Sequence, residues 1–539
     1  MRRVLLVALF FSAACATVRP TPSQQLAALV DEHWQRQLAR DVGTRAELGL
    51  PIETLPNFSF AQEQRDTEFS RGLLARLERI DASRLSADEW LSLRILEHLH
   101  RQQLTLAPHF WLRFQLTPYA SPIRPVLNVL NALPPETAAE LTDEYARFID
   151  GLTEVVKEQE RRGIRIPKRE LGAVRGLIAG AAPRSMKSEA IDAAVTRLAA
   201  VFSPAYEAAA PEAIGIGHYQ GGAEAYRALI RVHTSYDLDP RELHDFGLRE
   251  LARIDRQLAD VRAQLGFTGA PRDFYPFLQQ YWTERGAFRD PQAHFTAYVR
   301  RIEPHVSRFF KVTPRAPYDT RRLDPALEAA MTFGYYQRPT STDATGHYYF
   351  NGSPSKPRSI IFGGALMAHE LVPGHHFQIA RQIEAEHVPL FRRQRYDTAF
   401  VEGWGEYSAV LASEMGLYET PHDLAGRLMM DALVSTRLVV DTGLNAFGWT
   451  YEQAAEFMRA HTPLTDEEIA TEILRYAVDI PGQALAYKVG SMKMIELRQK
   501  AMDAAAPHGD VAHFHEQVLR NGSMPLSILE EHLRRTAVR

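Results

Sequence analysis

Apolar residues recur along this chain with the three-to-four-residue spacing of amphipathic helices. Leu26-Ala27-Ala28-Leu29-Val30 opens the first such pattern. Ser86-Ala87-Asp88-Glu89 reads as a capping box, with Trp90, Leu91, Leu93, Ile95 and Leu96 following on one helical face. Thr465-Asp466-Glu467-Glu468 is another, ahead of Ile469, Ile473 and Leu474. Asp239, with Pro240 at the first helical position and Glu242 behind it, marks a third start. The stretches Asp143 to Arg161 and Ser185 to Val201 are long and periodic. Only one region reads as extended. Gly346-His347-Tyr348-Tyr349-Phe350-Asn351-Gly352 is aromatic and bounded by turn residues, and Ser359-Ile360-Ile361-Phe362 follows it. The pattern predicts a mainly α protein: two helical lobes around a deep substrate cleft, with a small β-hairpin or sheet near residue 350. The lobes divide near residue 340, giving an N-terminal lobe of about 25–340 and a second part of about 341–539.

The glycine-rich piece Gly215-Ile216-Gly217-His218-Tyr219-Gln220-Gly221-Gly222 lacks the lysine and the preceding strand of a phosphate loop. It is expected to be a turn entering a helix at Ala223. At 539 residues, with 45% hydrophobic and 24% charged positions, the chain can bury a large core. A net charge of −4 with interspersed signs, and no basic stripe, argues against a nucleic-acid partner.

The first residues read as an export signal. Arg2-Arg3 precede the apolar run Val4 to Phe11 and the small residues Ser12-Ala13-Ala14. Cys15, the single cysteine, follows at once, so residues 1–15 form a signal peptide with a lipobox and Cys15 is the expected lipidation site. The alternative is ordinary cleavage with Cys15 incidental. Residues 16–24 would then tether the body to a membrane it touches only through that lipid, in the cell envelope or periplasm. No later apolar stretch approaches the ~20 residues of a spanning helix. One cysteine allows no intrachain disulfide.

The chemistry concentrates at His369-Glu370-Leu371-Val372-Pro373-Gly374-His375-His376. Imidazoles to hold zinc and a carboxylate to activate water are the parts of a zinc hydrolase. In a His-Glu-x-x-His helix the second histidine stands one turn after the first; here Pro373 occupies that place. In an unbroken helix His375 would point away from His369, and His376 would sit roughly 10 Å further along the axis. Proline removes a helical N–H and clashes with the preceding turn, and glycine tolerates the resulting backbone. A bulge at Pro373-Gly374 is therefore expected to return a histidine to His369. His375 is the expected ligand, and His376 the alternative ligand or supporting residue. The run Phe400-Val401-Glu402-Gly403-Trp404-Gly405-Glu406-Tyr407 opens a helix through Val410, Leu411 and Met415. Glu402 and Glu406 share one face, so one can ligate while the other holds a ligand histidine. Glu402 is the preferred third ligand.

The His-Glu-x-x-Pro-Gly-His-His run resembles the signature of the DUF885 family of bacterial envelope proteins. Glu402-Gly403-Trp404 is similar to that family's Glu-Gly-Trp motif, and Pro481-Gly482-Gln483-Ala484-Leu485-Ala486-Tyr487-Lys488-Val489-Gly490 to its Pro-Gly-Gln-Ala segment. Tyr226-Arg227 with Asp239-Pro240-Arg241-Glu242-Leu243-His244 resembles its central region. The chain departs from the pattern at Gly405-Glu406 and Ala409, which strengthens Glu406 as a competing ligand. More distantly, Gly374-His375 resembles the Gly-His of helical zinc peptidases whose motif is His-Glu-x-Gly-His, with two residues inserted, and this favours His375. The resemblance implies a strand beside the metal helix that pairs with extended substrate. The 346–352 segment, with Tyr349 and Asn351, is the expected one; its alternative role is a structural hairpin.

The expected activity is zinc-dependent hydrolysis of small peptides. One Zn²⁺ on three protein ligands leaves a position for water, and Glu370 takes that water's proton. The oxyanion needs a donor: Tyr487 is the candidate, with Tyr476 and Arg475 in reserve. Arg475 or Lys488 can instead bind a substrate carboxylate. Two other readings share these residues. One is hydrolysis of a non-peptide amide or ester. The other is a non-catalytic envelope binding protein whose metal is closed off by His369, His375, His376 and Glu402 together.

Overall fold

The computed structural model describes residues 20–537 apart from 185, 187, 329–332, 341 and 354–357. Cys15, the signal segment and residues 16–19 lie outside the described residues. The first helix, Pro22–Leu38, begins inside the expected tether, because Thr21 caps it through a reciprocal bond with Gln24.

Helices dominate, and the capping residues set where they start. Ser86 and Glu89 form the expected box on Ala87–Leu106, and Thr465 and Glu468 form it on Asp466–Leu474. Asp239 accepts from the Arg241 N–H at 2.7 Å and starts Pro240–Gln264. The glycine-rich segment is a turn into Gly222–Thr234, tied down where the Ile216 N–H donates to Asn445 Oδ1 at 2.9 Å.

The extended region is a three-stranded sheet with order β1-β3-β2. Strand β1 is Tyr318–Arg322, β2 is Gly334–Gln337 and β3 is Gly346–Phe350. Strand β3 pairs in parallel with β1 (Thr320 opposite Tyr348) and antiparallel with β2 (Tyr336 opposite Tyr348). The expected strand is thus the central one. Its hairpin partner precedes it in sequence, while Arg358–Ile361 is a short helix rather than a strand.

One apolar cluster joins Leu26, Leu73, Trp90 and Phe295 to Phe362, Trp404 and Leu529. A second joins Ile123, Tyr145 and Leu198 to Val440, Ile469 and Tyr476. The long helix Pro421–Ala446 gives Met429 to the first, Leu433 to the second and Leu438 to a third. It is buried on every side and packs along Pro240–Gln264. A second crossing, of Thr398–Glu414 with Leu485–Ala504, is made at two glycines. A Cβ on Gly403 would stand 2.5 Å from the Gly490 backbone, and one on Gly490 would stand 2.2 Å from the Ala399 oxygen. That contact brings Glu402 and Tyr487 to the same cavity.

Candidate metal centre

The helix Gly363–Glu370 ends directly after His369 and Glu370, and a new helix, His375–Glu384, begins at His375. Between them Leu371 leaves helical geometry and the Val372–Pro373 bond is cis. The expected bulge is therefore a full break between two helices. Gly374 lies against the end of the first helix, where a Cβ would stand 1.8 Å from the His369 oxygen. The Pro373 carbonyl is fixed from the opposing helix, accepting from Trp404 Nε1 at 2.8 Å and Ser408 Oγ at 3.3 Å. This turn sets the His369 and His375 rings 4.5 Å apart at 77°.

Thr398–Glu414 passes over the His369 ring at Gly405, where a Cβ would stand 2.7 Å from the imidazole. That approach delivers both acids. Glu402 Oε2 lies 3.7 Å from His369 Nε2 and 3.5 Å from His375 Nε2. Glu406 Oε1 lies 3.1 Å from His369 Nδ1, on the far side of the ring. One ligand atom each from His369, His375 and Glu402 lies within 4.8 Å of the others. Tetrahedral zinc with bonds of about 2.0–2.1 Å holds its donors about 3.3–3.4 Å apart, so the residues fit such an ion with small adjustment. Glu402 Oε1 is occupied separately by the Tyr396 hydroxyl at 2.7 Å.

Electrostatics match a cation site. Burial opposes charge on Glu402, but the two imidazoles prevail and hold its carboxyl well below the usual range. Burial likewise opposes charge on His369, and Glu402 and Glu406 prevail, raising it to about 10. Three carboxylates face two imidazoles here. Burial pushes the neighbouring Glu370 carboxyl up against the pull of His375 and His369. A basic carboxylate is what proton abstraction requires.

These residues line a cavity of about 340 Å³. Tyr487 lines it with its ring nearly parallel to His369, centroids 6.3 Å apart. Arg475 lines it too, donating to Gln483 Oε1 at 2.7 Å and reaching Tyr487 Oη at 3.4 Å. The turn carrying Arg475 is π-helical, over Arg475–Asp479, a local widening common at functional sites.

Other expected residues stand elsewhere. His376 is buried and turned to the sheet: Tyr336 Oη donates to its Nδ1 at 3.0 Å, and its Nε2 donates to the Ala316 carbonyl at 3.1 Å. Burial pushes its pKa down to about 4, which keeps the ring neutral. Both nitrogens are engaged, so it takes no part in the cluster, and the closed four-ligand arrangement loses its fourth member. Lys488 is buried between Asp431 at 2.7 Å and Glu250 at 2.9 Å, where it cannot meet a substrate carboxylate. Tyr476 is buried, donates to Glu472 and accepts from Arg437 Nε at 3.0 Å. Asn351 donates to the Glu328 carbonyl at 2.7 Å as part of the sheet's support. Tyr349 stacks on Tyr335 in the central strand, whose two edges are both paired. The strand that lines the cavity is β2, through Gly334, Tyr335 and Tyr336.

Among the cavity residues that escaped the sequence reading are Arg437, Glu472, Tyr396 and Tyr336. Arg437 carried a signal. It stands in Leu433-Val434-Ser435-Thr436-Arg437-Leu438-Val439-Val440, an otherwise uncharged run in which a cation demands a partner.

No helix of the described residues is long and apolar enough to cross a membrane. No curated protein matches the chain. Solved structures that share its fold include two bacterial proteins. "The putative lipoprotein from Colwellia psychrerythraea" has TM-score 0.82 and 21% identity, covering 96% of this chain and 99% of that one. "A putative lipoprotein of unknown function from Shewanella oneidensis" has TM-score 0.72 and 16% identity, covering 95% and 99%. The DUF885 family, described as "Bacterial protein of unknown function", matches residues 43–533. With that match spanning nearly the whole body and every motif around the cavity, the chain belongs to the DUF885 family.

Proposed function

We propose that this protein is a zinc-dependent metallopeptidase that hydrolyses small peptides in the cell envelope. The observation that carries the reading is the convergence of His369 Nε2, His375 Nε2 and Glu402 Oε2 in a cavity that Glu370 also lines. Zinc held there would supply Lewis acidity to a carbonyl and lower the pKa of water.

The chain's own residues do the rest. Glu370, kept basic by burial, takes the proton of the attacking water and delivers it to the leaving amine. Glu406, 3.1 Å from His369 Nδ1, faces the ring on the side away from Glu402 and steadies it by charge with Nε2 towards the site. The Tyr487 hydroxyl, held neutral chiefly by burial, donates to the developing oxyanion from the cavity wall. Strand β2, paired to β3 along one edge, offers its other edge to extended substrate backbone. For location, the support is the apolar N-terminus ending at Cys15 and the lipoprotein description of the two solved relatives.

Metal analysis of the purified protein, with a peptide-library digest run with and without chelator, tests the reading. One bound zinc and chelator-sensitive cleavage are expected. Glu370→Gln should keep the metal and lose about 10²–10⁴ in turnover. Full activity in that variant would remove Glu370 as the base. Metal-free protein that still cleaves would end the proposal.

A further inference from the structure

The cavity wall beyond Tyr487 carries two arginines and one carboxylate. Glu472 accepts from Arg437 Nη2 at 3.1 Å and Nε at 3.2 Å, and also from the Tyr476 hydroxyl. The same carboxylate lies 3.7 Å from Arg475 Nη1. It is the only carboxylate paired with either guanidinium among the described residues. Asp441, the next acid on the long helix, is committed to the Tyr226 hydroxyl at 2.6 Å and the Gly482 N–H at 3.1 Å. The two guanidiniums therefore share a single ion-paired carboxylate among the described residues, on a wall where Arg437 is 7% exposed. Arg437 Nη1 donates to no group among the described residues, and Arg475 Nε is buried without a partner. Desolvated cations with spare donors are costly unless an anion completes them.

Position makes the charge selective. Both arginines line the cavity that holds the metal cluster. The Arg437 guanidinium sits 4.7 Å over the Tyr487 ring, and the His369 ring lies 6.3 Å from the same ring. Arg475 lies against the Tyr119 ring, which is half exposed at the rim. An extended peptide advances about 3.3–3.6 Å per residue. Ring to ring at 6.3 Å and ring to guanidinium at 4.7 Å, the His369 ring and Arg437 stand at most about 11 Å apart, so no more than about three residues fit between them.

Resting on the metallopeptidase reading, we propose that Arg437 and Arg475 receive the free C-terminal carboxylate of the substrate. The enzyme then removes one to three residues from the C-terminus of short peptides. Guanidinium–carboxylate pairing is charge-assisted and suited to this role. A C-terminal amide or a longer downstream chain brings no charge and leaves the cation unpaired.

The test uses a pool of N-acetylated pentapeptides made twice, as free acids and as C-terminal amides. The metal-loaded protein should release one to three residues from the C-terminus of the acids, with kcat/KM at least tenfold lower on the amides. Arg475→Gln should raise KM on the acids far more than on the amides. Arg437 sits in a buried ion pair, so Arg475 is the safer site to vary. Glu370→Gln, expected not to turn over, gives a reading independent of activity: calorimetric binding of the acids should be at least tenfold tighter than of the amides. Metal-dependent cleavage and binding that treat acids and amides alike, or cuts further than three residues from the C-terminus, would overturn carboxylate recognition and leave the metallopeptidase standing. If neither form is cut or bound, both proposals fall.

Discussion

His369 meets a different carboxylate at each ring nitrogen: Glu402 near Nε2 and Glu406 at Nδ1. The two acids lie one helical turn apart, so a single helix supplies both. Their tasks separate by atom, because only Glu402 also reaches His375. Glu406→Gln should therefore leave the fold intact and weaken zinc binding by about 10–100-fold, the usual effect of losing an outer partner of a ligand histidine. Competition against a chromophoric chelator reads this directly. Unchanged affinity would show that the Glu406 contact does not support the ligand. Gly405 and Gly374 act at the same scale, each giving up a side chain so that the His369 ring or carbonyl can approach.

Two pairs of elements make the site. The break at residues 371–374 reverses what a continuous helix would impose, starting a new helix with His375 beside His369. The crossing at Gly403 and Gly490 then sets the acid-bearing helix against the one carrying Tyr487. Gly490 is itself neither a candidate ligand nor part of the cavity lining. Gly490→Leu should nevertheless destabilise the protein by roughly 1–3 kcal/mol or more, since overpacking forces the two backbones apart. It should also lower turnover by shifting Tyr487 away from Glu402. Thermal unfolding and kcat, measured together, check this. A variant with wild-type melting and wild-type kcat would mean that the crossing does not set the site's geometry.

Across the molecule, the helix Pro421–Ala446 binds the parts together, and its buried charges make stability depend on pH. Burial pushes the Asp441 carboxyl up from 3.8 to about 7, against hydrogen bonds from Tyr226, Gly482 and Asn445. A carboxyl with a raised folded-state pKa binds its proton more tightly in the native state. Its contribution is complete below about pH 4 and is lost as pH rises towards 7. Asp441→Asn removes this titration. The stability advantage of wild type over the variant should shrink between pH 4 and 7, by about 1.4 kcal/mol for each pH unit crossed, and stay constant above. Urea unfolding at pH 5 and pH 8 measures it. An equal gap at both pH values would show that Asp441 is ionised throughout.

Much was legible in the linear chain because it depends on neighbours in sequence. Apolar spacing gave the helical class, and the capping boxes at Ser86 and Thr465 marked two helix starts to the residue. Residue types alone pointed to His369, His375, Glu402 and Glu406, and the Pro-Gly pair announced a break in the helix. What tertiary structure decided were the contacts between distant segments. It made β2 rather than β3 the strand at the cavity, because β1, remote in sequence, takes the other edge of β3. It turned His376 to the sheet through Tyr336 and Ala316 and buried Lys488 between Asp431 and Glu250. It drew Arg437 and Glu472, from two separate helices, into the cavity wall. A side chain's chemistry is written in its residue type. Whether that chemistry faces a substrate or a buried partner depends on which other segment arrives, and hydrophobic burial, which has no direction of its own, leaves that choice to the packing of the whole chain.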